Sequence, residues 1–416
     1  RGKQSLEPGG IWYTATSGIW QTVWMEPLPD RAITRVLTRT RPDLATVDVR
    51  ILAEGGPRPV TITISDQEGA VVRASGTTGA PIAVQIANTE WPKWRAVMSA
   101  DPVDPAELLK DAGTGDEREI ARNRPLTRPR PGHADLPGMV SYDLDDARPV
   151  LERASARETA ARVALGAIAE QLLEQVAGVR LVSHVVAVGS ETAADGPLPS
   201  PEDAVRLDAS PMRTLDEEAG ARFVSAVDAA KRAGDTIGGV AEVVAWGVPI
   251  GLGSHVSAHR RLDARIAGAL MSIQSVKGVE IGDGFAQAAL PGSVAHDEIV
   301  RDGRGRPTRA SNHAGGIEGG TSNGQPVVAR AAFKPISTVP RALRSIDLAT
   351  GEEAVALHQR SDACQVVPGA VIAQAEVALV LADALFEHAG GNSADEMRRN
   401  LESYLNRVEE RLCPND

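Results

Sequence analysis

The pattern of hydrophobic and polar positions predicts both strands and helices over much of the chain. The β-branched run VRLVSHVVAVG at 179–189 predicts a core strand, and GGVAEVVAWGVPIGLG at 238–253 predicts a strand pair with glycines at its bends. Apolar residues recur at helical spacing in four other segments. The predicted helices are 146–177, 216–234, Val371–Ala389 and Ser393–Leu412, the last with Ser393 as its N-cap.

The first part of the chain gives a weaker pattern. Residues 11–75 follow neither the helical nor the strand period for long, and only VTITIS at 60–65 alternates as a strand does. Residues 101–137 predict a long surface loop, because the stretch up to Gly138 contains too many prolines for a helix. We therefore expect a divergent N-terminal segment, residues 1–75, followed by one domain over residues 76–416.

Composition and charge narrow the class of protein. With 42% hydrophobic and 24% charged residues, the 416-residue chain is expected to be globular. A net charge of −11 and only 3% aromatic residues argue against nucleic-acid binding, which needs a basic surface or stacking platforms. Two cysteines favour a reducing compartment, and no window of about 20 residues is free of charge, so we expect a cytoplasmic protein that spans no membrane. The first ten residues lack the basic-then-apolar order of a signal peptide.

Arginine is concentrated in one segment of this acidic chain. The planar guanidinium matches the geometry of phosphate and carboxylate, so the cluster indicates a small polyanionic ligand, with solvated pairing to nearby acids as the alternative. The prolines of RPRPGHAD stiffen the loop that carries His133, a candidate for proton transfer or a solvated side chain. The arginines are Arg122, Arg124, Arg128, Arg130, Arg148, Arg153, Arg157 and Arg162.

Two later segments also carry candidate ligand contacts. SNHAGGIEGGTSNGQ at 311–325 has five glycines, which let backbone N–H groups approach a ligand, although a mobile turn gives the same pattern. FKPIST at 333–338 adds Lys334 and two hydroxyls, and HQRSD at 358–362 sets Arg360 and Asp362 on one side of an extended segment. No P-loop, Rossmann, zinc-site or serine-hydrolase motif is present in the sequence.

Eight of these runs occur in one order that resembles the chorismate synthase family. They are GAPIAVQIANTEWPKW, RPRPGHAD, ERASARETAARVA, GDTIGG, SIQSVKGVEIGDGF, SNHAGGIEGGTSNGQ, KPISTVPR and HQRSD, and they extend from about Gly76 to the C-terminal part. The resemblance implies an α+β fold, a β-α-β sandwich with an internal strand-helix duplication, assembled as a homotetramer. It implies a lyase that uses reduced FMN to convert 5-enolpyruvylshikimate 3-phosphate into chorismate, in the shikimate pathway of aromatic amino acid biosynthesis. It also associates NADP with the enzyme, although the residues leave the source of reducing equivalents open.

The resemblance also assigns roles to residues. It implies that His133 handles a proton near the reduced flavin and that Asp362 receives the proton lost from the substrate. Arg128, Arg130 and Arg157 are the expected contacts to the substrate's anionic groups. The expected FMN contacts are Arg153, Ala154, Ser155, Gln274, Ser275, Gly319, Lys334, Pro335, Ile336, Ser337, Thr338 and Arg360.

The N-terminal part departs from the family pattern. Family members begin with a segment like W-x-T-A-G-E-S-H-G, whereas Trp12 and Thr14 are here followed by TSGIWQTV, and the chain has no histidine before His133. A reading-frame disturbance between about Thr16 and Ala74 or genuine divergence explains this equally. A flavin-binding relative without turnover and a flavin oxidoreductase with another substrate are therefore alternative functions.

Overall fold

The computed structural model describes residues 125–356 and 362–413, the backbone of four earlier strands, and residues 84, 86, 95–96, 99 and 102–104. The predicted strand at 60–65 and most of HQRSD lie outside the described residues. The chain divides into two compact units. Unit 1 comprises Arg1–Pro129, Ala134–Arg153 and Ile346–Glu353, and unit 2 comprises Arg130–His133, Ala154–Ser345 and Ala354–Asp416.

Unit 1 contains the four early strands, β1 (Gln4–Ser5), β2 (Tyr13–Thr14), β3 (Ala32–Thr40) and β4 (Val47–Glu54). Strands β3 and β4 pair antiparallel, with a register shift between Ile33 and Arg35. The hydrophobic pattern had predicted no strand here. The segment is rich in Val, Ile and Thr, residues whose branched side chains favour extended backbone even where alternation is poor.

Unit 1 also contains two short helices, α1 (Asp135–Tyr142) and α2 (Arg148–Arg153). The prediction that no helix forms up to Gly138 is wrong, because Pro137 lies in the first turn of α1, where a missing N–H breaks no intrahelical bond. Asp146 joins the preceding loop to α2, since its carboxylate accepts hydrogen bonds from the backbone N–H groups of Leu126 and Arg148, both at 2.9 Å.

Unit 2 is built around one five-stranded antiparallel sheet with strand order β6-β5-β7-β13-β8. Its strands are β5 (Arg180–Val188), β6 (Glu191–Thr192), β7 (Gly239–Trp246), β8 (Val276–Ile281) and β13 (Val327–Phe333). Short strands outside this sheet are β9 (Ile299–Arg301), β10 (Pro307–Arg309), β11 (Ile317–Glu318) and β12 (Thr321–Ser322). Two more, β14 (Arg344–Ile346) and β15 (Glu353–Val355), follow later in the chain.

The helices confirm the predictions with two differences. The predicted helix at 146–177 is divided into α2, a 3₁₀ turn and a longer helix, and the helix predicted to begin at Val371 begins at Val366. The helices of unit 2 are α3 (Thr159–Ala177), α4 (Ala204–Ala209), α5 (Glu217–Arg232), α6 (Leu262–Met271), α7 (Gly284–Ala288), α8 (Gly292–Ala295), α9 (Val366–Ala389) and α10 (Ala394–Leu412). Three 3₁₀ turns occur at Ala156–Glu158, Pro201–Asp203 and Ala258–Arg260. Ser393 caps α10 as predicted, since its side chain accepts a hydrogen bond from the N–H of Glu396.

The predicted strand pair at 238–253 is a single strand, β7. After Trp246 the chain leaves the sheet through a loop in which Gly247, Gly251 and Gly253 have positive φ. The glycines expected to bend one hairpin therefore shape an irregular connection, because left-handed backbone is incompatible with a ladder of strand hydrogen bonds.

The hydrophobic core of unit 2 lies between one face of the sheet and helices α3 and α9. Helix α9 is 24 residues long and apolar enough to cross a membrane by length and composition, but 61% of its most apolar window is buried inside the protein. The core helix of a soluble protein has the same properties, so α9 is read as a core helix. Among the described residues, helices and antiparallel strands are segregated in the way typical of an α+β fold. Of the first predicted strand-helix half, residues 76–189, the part before residue 125 lies largely outside the described residues, so the predicted duplication is not tested there.

Candidate functional site

At the candidate site, hydrogen bonds join the RPRPGHAD loop to the KPIST segment that follows strand β13. The buried guanidinium of Arg130 donates through Nη1 to the hydroxyl oxygen of Thr338 at 2.9 Å. The ammonium group of Lys334 donates to the carbonyl of Gly132 and to Ser337 Oγ, the latter at 3.3 Å. Ser337 itself donates to the Gly132 carbonyl at 3.2 Å. The structure thus brings RPRPGHAD and KPIST together, although about 200 residues separate them in sequence.

His133 lies against Arg130 at this junction. Arg130 Nη2 is 3.1 Å from His133 Nδ1 and 3.3 Å from Nε2. A guanidinium has no acceptor, so the ring nitrogen that takes this hydrogen bond is unprotonated. The loop therefore presents an imidazole whose proton-accepting nitrogen is held next to a fixed positive charge.

Hydrogen bonds of neighbouring residues connect the segment that contains Asp362 to the Lys334–Thr338 segment. Thr236 Oγ1 donates to the carbonyl of Ile336 at 2.8 Å, and the N–H of Ile237 donates to the carbonyl of Ala363 at 2.8 Å. Asp362, which is exposed, directly precedes Ala363. The stretch GDTIGG therefore links the Asp362 segment to the Lys334–Thr338 segment.

The GDTIGG stretch is a part of the site to which the sequence had assigned no role. Gly238 allows a close approach, because a Cβ at this position would lie 2.2 Å from the carbonyl oxygen of Phe333. The stretch belonged to the family pattern, and its paired glycines were the available signal, since glycine permits such backbone contact.

Gln274 and Ser275 contact the site from another side. The amide of Gln274 donates through Nε2 to Glu158 Oε1 at 2.6 Å, and Glu158 also pairs with Arg162 at 2.7 Å. The carbonyl of Ser275 accepts a hydrogen bond from the N–H of Lys334 at 2.9 Å. Ser275 has a φ of 73°, an uncommon value for a residue with a side chain, which indicates that its surroundings fix this turn.

Ala154, Ser155 and Arg157 precede Glu158 in unit 2. The hydroxyl of Ser155 accepts a hydrogen bond from the N–H of Arg157 at 3.3 Å, which caps the short 3₁₀ turn, and Arg157 is exposed. Arg162, in contrast, is an internal structural arginine, because it pairs with Glu376 at 3.0 Å as well as with Glu158.

Cations dominate the electrostatics around Lys334. Burial lowers the pKa of the Lys334 ammonium, and the charge of Lys277 lowers it further. Two ammonium groups that raise each other's energy are stabilised by an anion placed between or beside them. This arrangement favours binding of a phosphate or carboxylate group.

Gly319 lies at a distance from the Lys334 segment. It occupies the turn between β11 and β12, where the carbonyl of the next residue, Gly320, accepts a hydrogen bond from the N–H of Leu262 at the start of α6. Gln274 follows the other end of α6, and a ten-residue helix is about 15 Å long. Gly319 and Gln274 therefore lie near opposite ends of α6.

Three predicted site residues are placed elsewhere or not described. Arg128 and Arg153 belong to unit 1, where Arg128 Nε lies 3.5 Å from Asp347 Oδ2 and Arg153 ends α2. Arg360 lies outside the described residues.

The sequence of the chain is similar to one family of known proteins. A family model described as chorismate synthase matches residues 68–386. A chorismate synthase of Beutenbergia cavernae is 61% identical over 340 residues, covering 82% of this chain and 84% of the relative. One of Mycobacterium sp. (strain KMS) is 58% identical over 337 residues, covering 81% of each chain.

A solved structure gives the same result. The structure titled "Crystal Structure of Chorismate Synthase" is 40% identical, with a TM-score of 0.56, over 67% of this chain and 77% of that chain. None of these matches supports the alternative of a relative without turnover. The order of the motifs, the α+β fold and the matched length agree, and the chain is a member of the chorismate synthase family, a family of lyases.

Proposed function

We propose that this lyase binds 5-enolpyruvylshikimate 3-phosphate beside FMN at the Lys334 site of unit 2, and that it converts this substrate into chorismate. The reaction breaks the C3–O bond to phosphate and the C6–H bond, and forms a double bond without net oxidation or reduction. The observation that carries this placement is the joining of Arg130, His133 and Lys334 through Gly132 and Thr338.

The charges of the site suit this substrate, which carries two carboxylates and one phosphate. The guanidinium of Arg130 and the ammonium groups of Lys334 and Lys277 supply positive charge. Arg157, exposed on the 3₁₀ turn, is a further cation for the substrate. The role of Arg128, which lies in unit 1, stays a prediction from the resemblance.

The residues present also fit FMN. Gln274 Nε2 faces the carboxylate of Glu158, so the other amide atom must be the oxygen. This Oε1 is buried and accepts no hydrogen bond from the described residues, so it is an acceptor for a ligand N–H such as that of a flavin ring. The hydroxyls of Ser337 and Thr338 and the ammonium of Lys334 suit the flavin phosphate and ribityl oxygens. When bound, reduced FMN supplies the electron density that helps the C3–O bond to break.

The protein's own residues control the protons. His133, held by Arg130, accepts and returns a proton through its imidazole ring. The carboxylate of Asp362 is the base for the C6 proton. Thr338 fixes Arg130, so that its charge faces the anionic groups of the substrate.

The wider setting follows from the family. We propose a cytoplasmic homotetramer with a small-molecule substrate and no nucleic-acid or membrane partner, with the net charge of −11 supporting the absence of a nucleic-acid partner. We propose that NADP, in its reduced form, is the original donor of the electrons that keep the flavin reduced.

An anaerobic assay tests the proposal. The protein is mixed with dithionite-reduced FMN and 5-enolpyruvylshikimate 3-phosphate, and chorismate is followed by its ultraviolet absorbance. We expect turnover that is lost without FMN, and a fall of roughly 10²- to 10⁴-fold in His133→Ala and Asp362→Asn with flavin affinity retained. His259→Ala, at an exposed histidine of another turn, is the matched control and should keep full activity. Full activity in His133→Ala, or turnover without flavin, would overturn the assigned roles.

A further inference from the structure

Two carboxylates contact the beginning of the glycine-rich loop, residues 311–325. Asp283 Oδ2 lies 2.5 Å from His313 Nδ1, and Asp297 makes the larger number of contacts. Asp297 Oδ1 accepts hydrogen bonds from Ser311 Oγ at 2.6 Å and from the N–H of His313 at 2.8 Å. Its Oδ2 accepts a hydrogen bond from the N–H of Ala314 at 2.9 Å. Three donors from four consecutive residues of the loop therefore converge on Asp297.

A second tether lies next to Gly319. Arg309 forms a two-pronged pair with Glu318, with Nε to Oε1 at 2.8 Å and Nη2 to Oε2 at 2.6 Å. Glu318 directly precedes Gly319, and the side chain of Arg309 is only 13% exposed. The segment from Asp297 to Arg309 thus holds the loop both where it begins and at its turn.

Such tethers matter because the loop is intrinsically flexible. Four glycines of the loop have positive φ, and glycine populates positive φ about as readily as negative φ. They are Gly315, Gly316, Gly319 and Gly320. Fixing a residue's backbone costs conformational entropy, so an untethered loop would lose that free energy on ligand binding. A charged acceptor with three donors fixes the loop before the ligand arrives.

We propose that Asp297 is a positioning residue that fixes the glycine-rich loop in the conformation in which Gly319 contacts the flavin. This inference rests on the proposed FMN site. Asp297 acts through Ser311, His313 and Ala314, and touches neither flavin nor substrate. Burial would raise its pKa, but the hydrogen bonds from Ser311, Ala314 and His313 outweigh burial, and its pKa is lowered. The carboxylate therefore stays charged, and accepts all three bonds, at neutral pH.

The chain contains a matched control for Asp297. Asp302, in the connection between β9 and β10, accepts hydrogen bonds from the N–H groups of Arg304 and Arg306 at 2.8 and 2.9 Å. It is exposed and makes the same kind of carboxylate-to-backbone turn five residues further along the chain. Its substitution should affect its own turn and leave the glycine-rich loop in place.

The experiment compares Asp297→Asn with Asp302→Asn in the full chain. The asparagine amide places an N–H₂ group where the carboxylate accepted from a backbone N–H, so the loop start should open. We expect FMN affinity, measured by flavin fluorescence, to fall about tenfold or more in Asp297→Asn and to stay within about twofold in Asp302→Asn. At saturating FMN, kcat should stay within about threefold, because the groups that transfer protons are unchanged.

Two further variants distinguish a loss of flavin affinity from a folding defect. Asp297→Glu keeps the charge and should recover part of the affinity, whereas Ser311→Ala removes one donor of three and should give an intermediate loss. Hydrogen exchange of the peptide 311–325 should accelerate in the order of the affinity losses. A merely structural role would lower the melting temperature without this graded effect on flavin affinity.

The outcomes separate the two proposals. If the unmodified protein binds no FMN with or without substrate, the proposed flavin site is wrong and the role of Asp297 falls with it. If the unmodified protein binds FMN but Asp297→Asn binds it as tightly as Asp302→Asn does, only the inference about Asp297 is overturned. A loss of kcat at saturating FMN would also contradict it, because it would place Asp297 in the chemistry.

Discussion

Arg130 and Thr338 are each more than 90% buried, and the hydrogen bond between them joins two segments of the candidate site. A buried donor that loses its acceptor keeps the cost of its desolvation. Single atoms of this pair therefore affect both the stability of the protein and the orientation of a charge at the candidate site.

We expect Thr338→Val to destabilise the protein by about 1 to 3 kcal/mol, because valine has the shape of threonine without the hydroxyl acceptor. Thr338→Ser keeps the hydroxyl and should cost less. Chemical unfolding of both variants measures the difference. Equal stability of the two would show that the hydroxyl contributes nothing and that only the methyl group packs.

Glu170 is a second residue whose environment has a measurable effect. It lies between α3 and α9, where Gln374 donates to its carboxylate at 3.0 Å. Burial raises the pKa of Glu170 and Glu174 adds to the rise, while the Gln374 hydrogen bond and the charge of Arg213 oppose it. A carboxyl whose pKa is raised by folding stabilises the folded state while protonated, and that contribution is lost as the pH rises through its folded pKa.

Glu170→Gln should therefore stabilise the protein at pH 7, by roughly 0.5 kcal/mol, and the gain should vanish as the pH falls into the ordinary carboxyl range. Thermal unfolding between pH 4 and pH 8 measures this trend. Glu402→Gln, on the exposed face of α10, is the control and should show no such dependence. A constant difference between Glu170→Gln and the unmodified protein at all pH values would contradict the pKa argument.

At the scale of elements, the contact between helices α3 and α9 depends on one glycine. A Cβ at Gly166 would lie 2.3 Å from the Cβ of Ala375, so the two helices approach as closely as their backbones allow. Gly268, in α6, has open space around the same position. The two glycines are both inside helices but have opposite surroundings.

We predict opposite effects of the same substitution at these two glycines. Gly166→Ala should destabilise by about 1 to 3 kcal/mol despite better helix propensity, because the helices must separate. Gly268→Ala should stabilise by up to about 1 kcal/mol, since alanine is the better helix former and nothing opposes it. Urea unfolding measures the change in the free energy of unfolding for each variant. A stabilising effect of Gly166→Ala would show that α9 can shift without cost.

At the scale of the whole molecule, unit 2 exposes large apolar side chains. Burying them at a subunit interface would be favourable. Val256 is 77% exposed, Phe285 81% and Ile299 69%. Apolar side chains exposed to this degree are frequent at subunit interfaces. They are consistent with the proposed homotetramer.

Light scattering of the purified chain should therefore give a mass about four times 43.7 kDa at micromolar concentration. Phe285→Ser, which removes one of the exposed rings, is the variant to compare with it. A mass equal to that of one chain at all concentrations would contradict the tetramer and leave the exposed side chains to be explained otherwise.

The amino-acid sequence alone was sufficient for several elements and for the family. The helical period of α9 and α10, the Ser393 cap and the β-branched run of β5 are local patterns. Each is formed where predicted, except that α9 begins at Val366 rather than Val371. The eight ordered motifs identified the family, and the family model matches residues 68–386. Residue types and spacing are sufficient for such inferences because they depend on neighbours in sequence.

The tertiary structure decided the features that depend on distant residues. Periodicity could not show that 238–253 forms one strand, because β7 takes both its partners, β5 and β13, from distant parts of the chain. Nor could it show that Thr338 binds Arg130, that Gln274 binds Glu158, or that Asp297 holds the glycine-rich loop. These contacts arise only when packing sets the register and distance between elements, and a hydrogen bond requires its two atoms to lie within about 3 Å of each other.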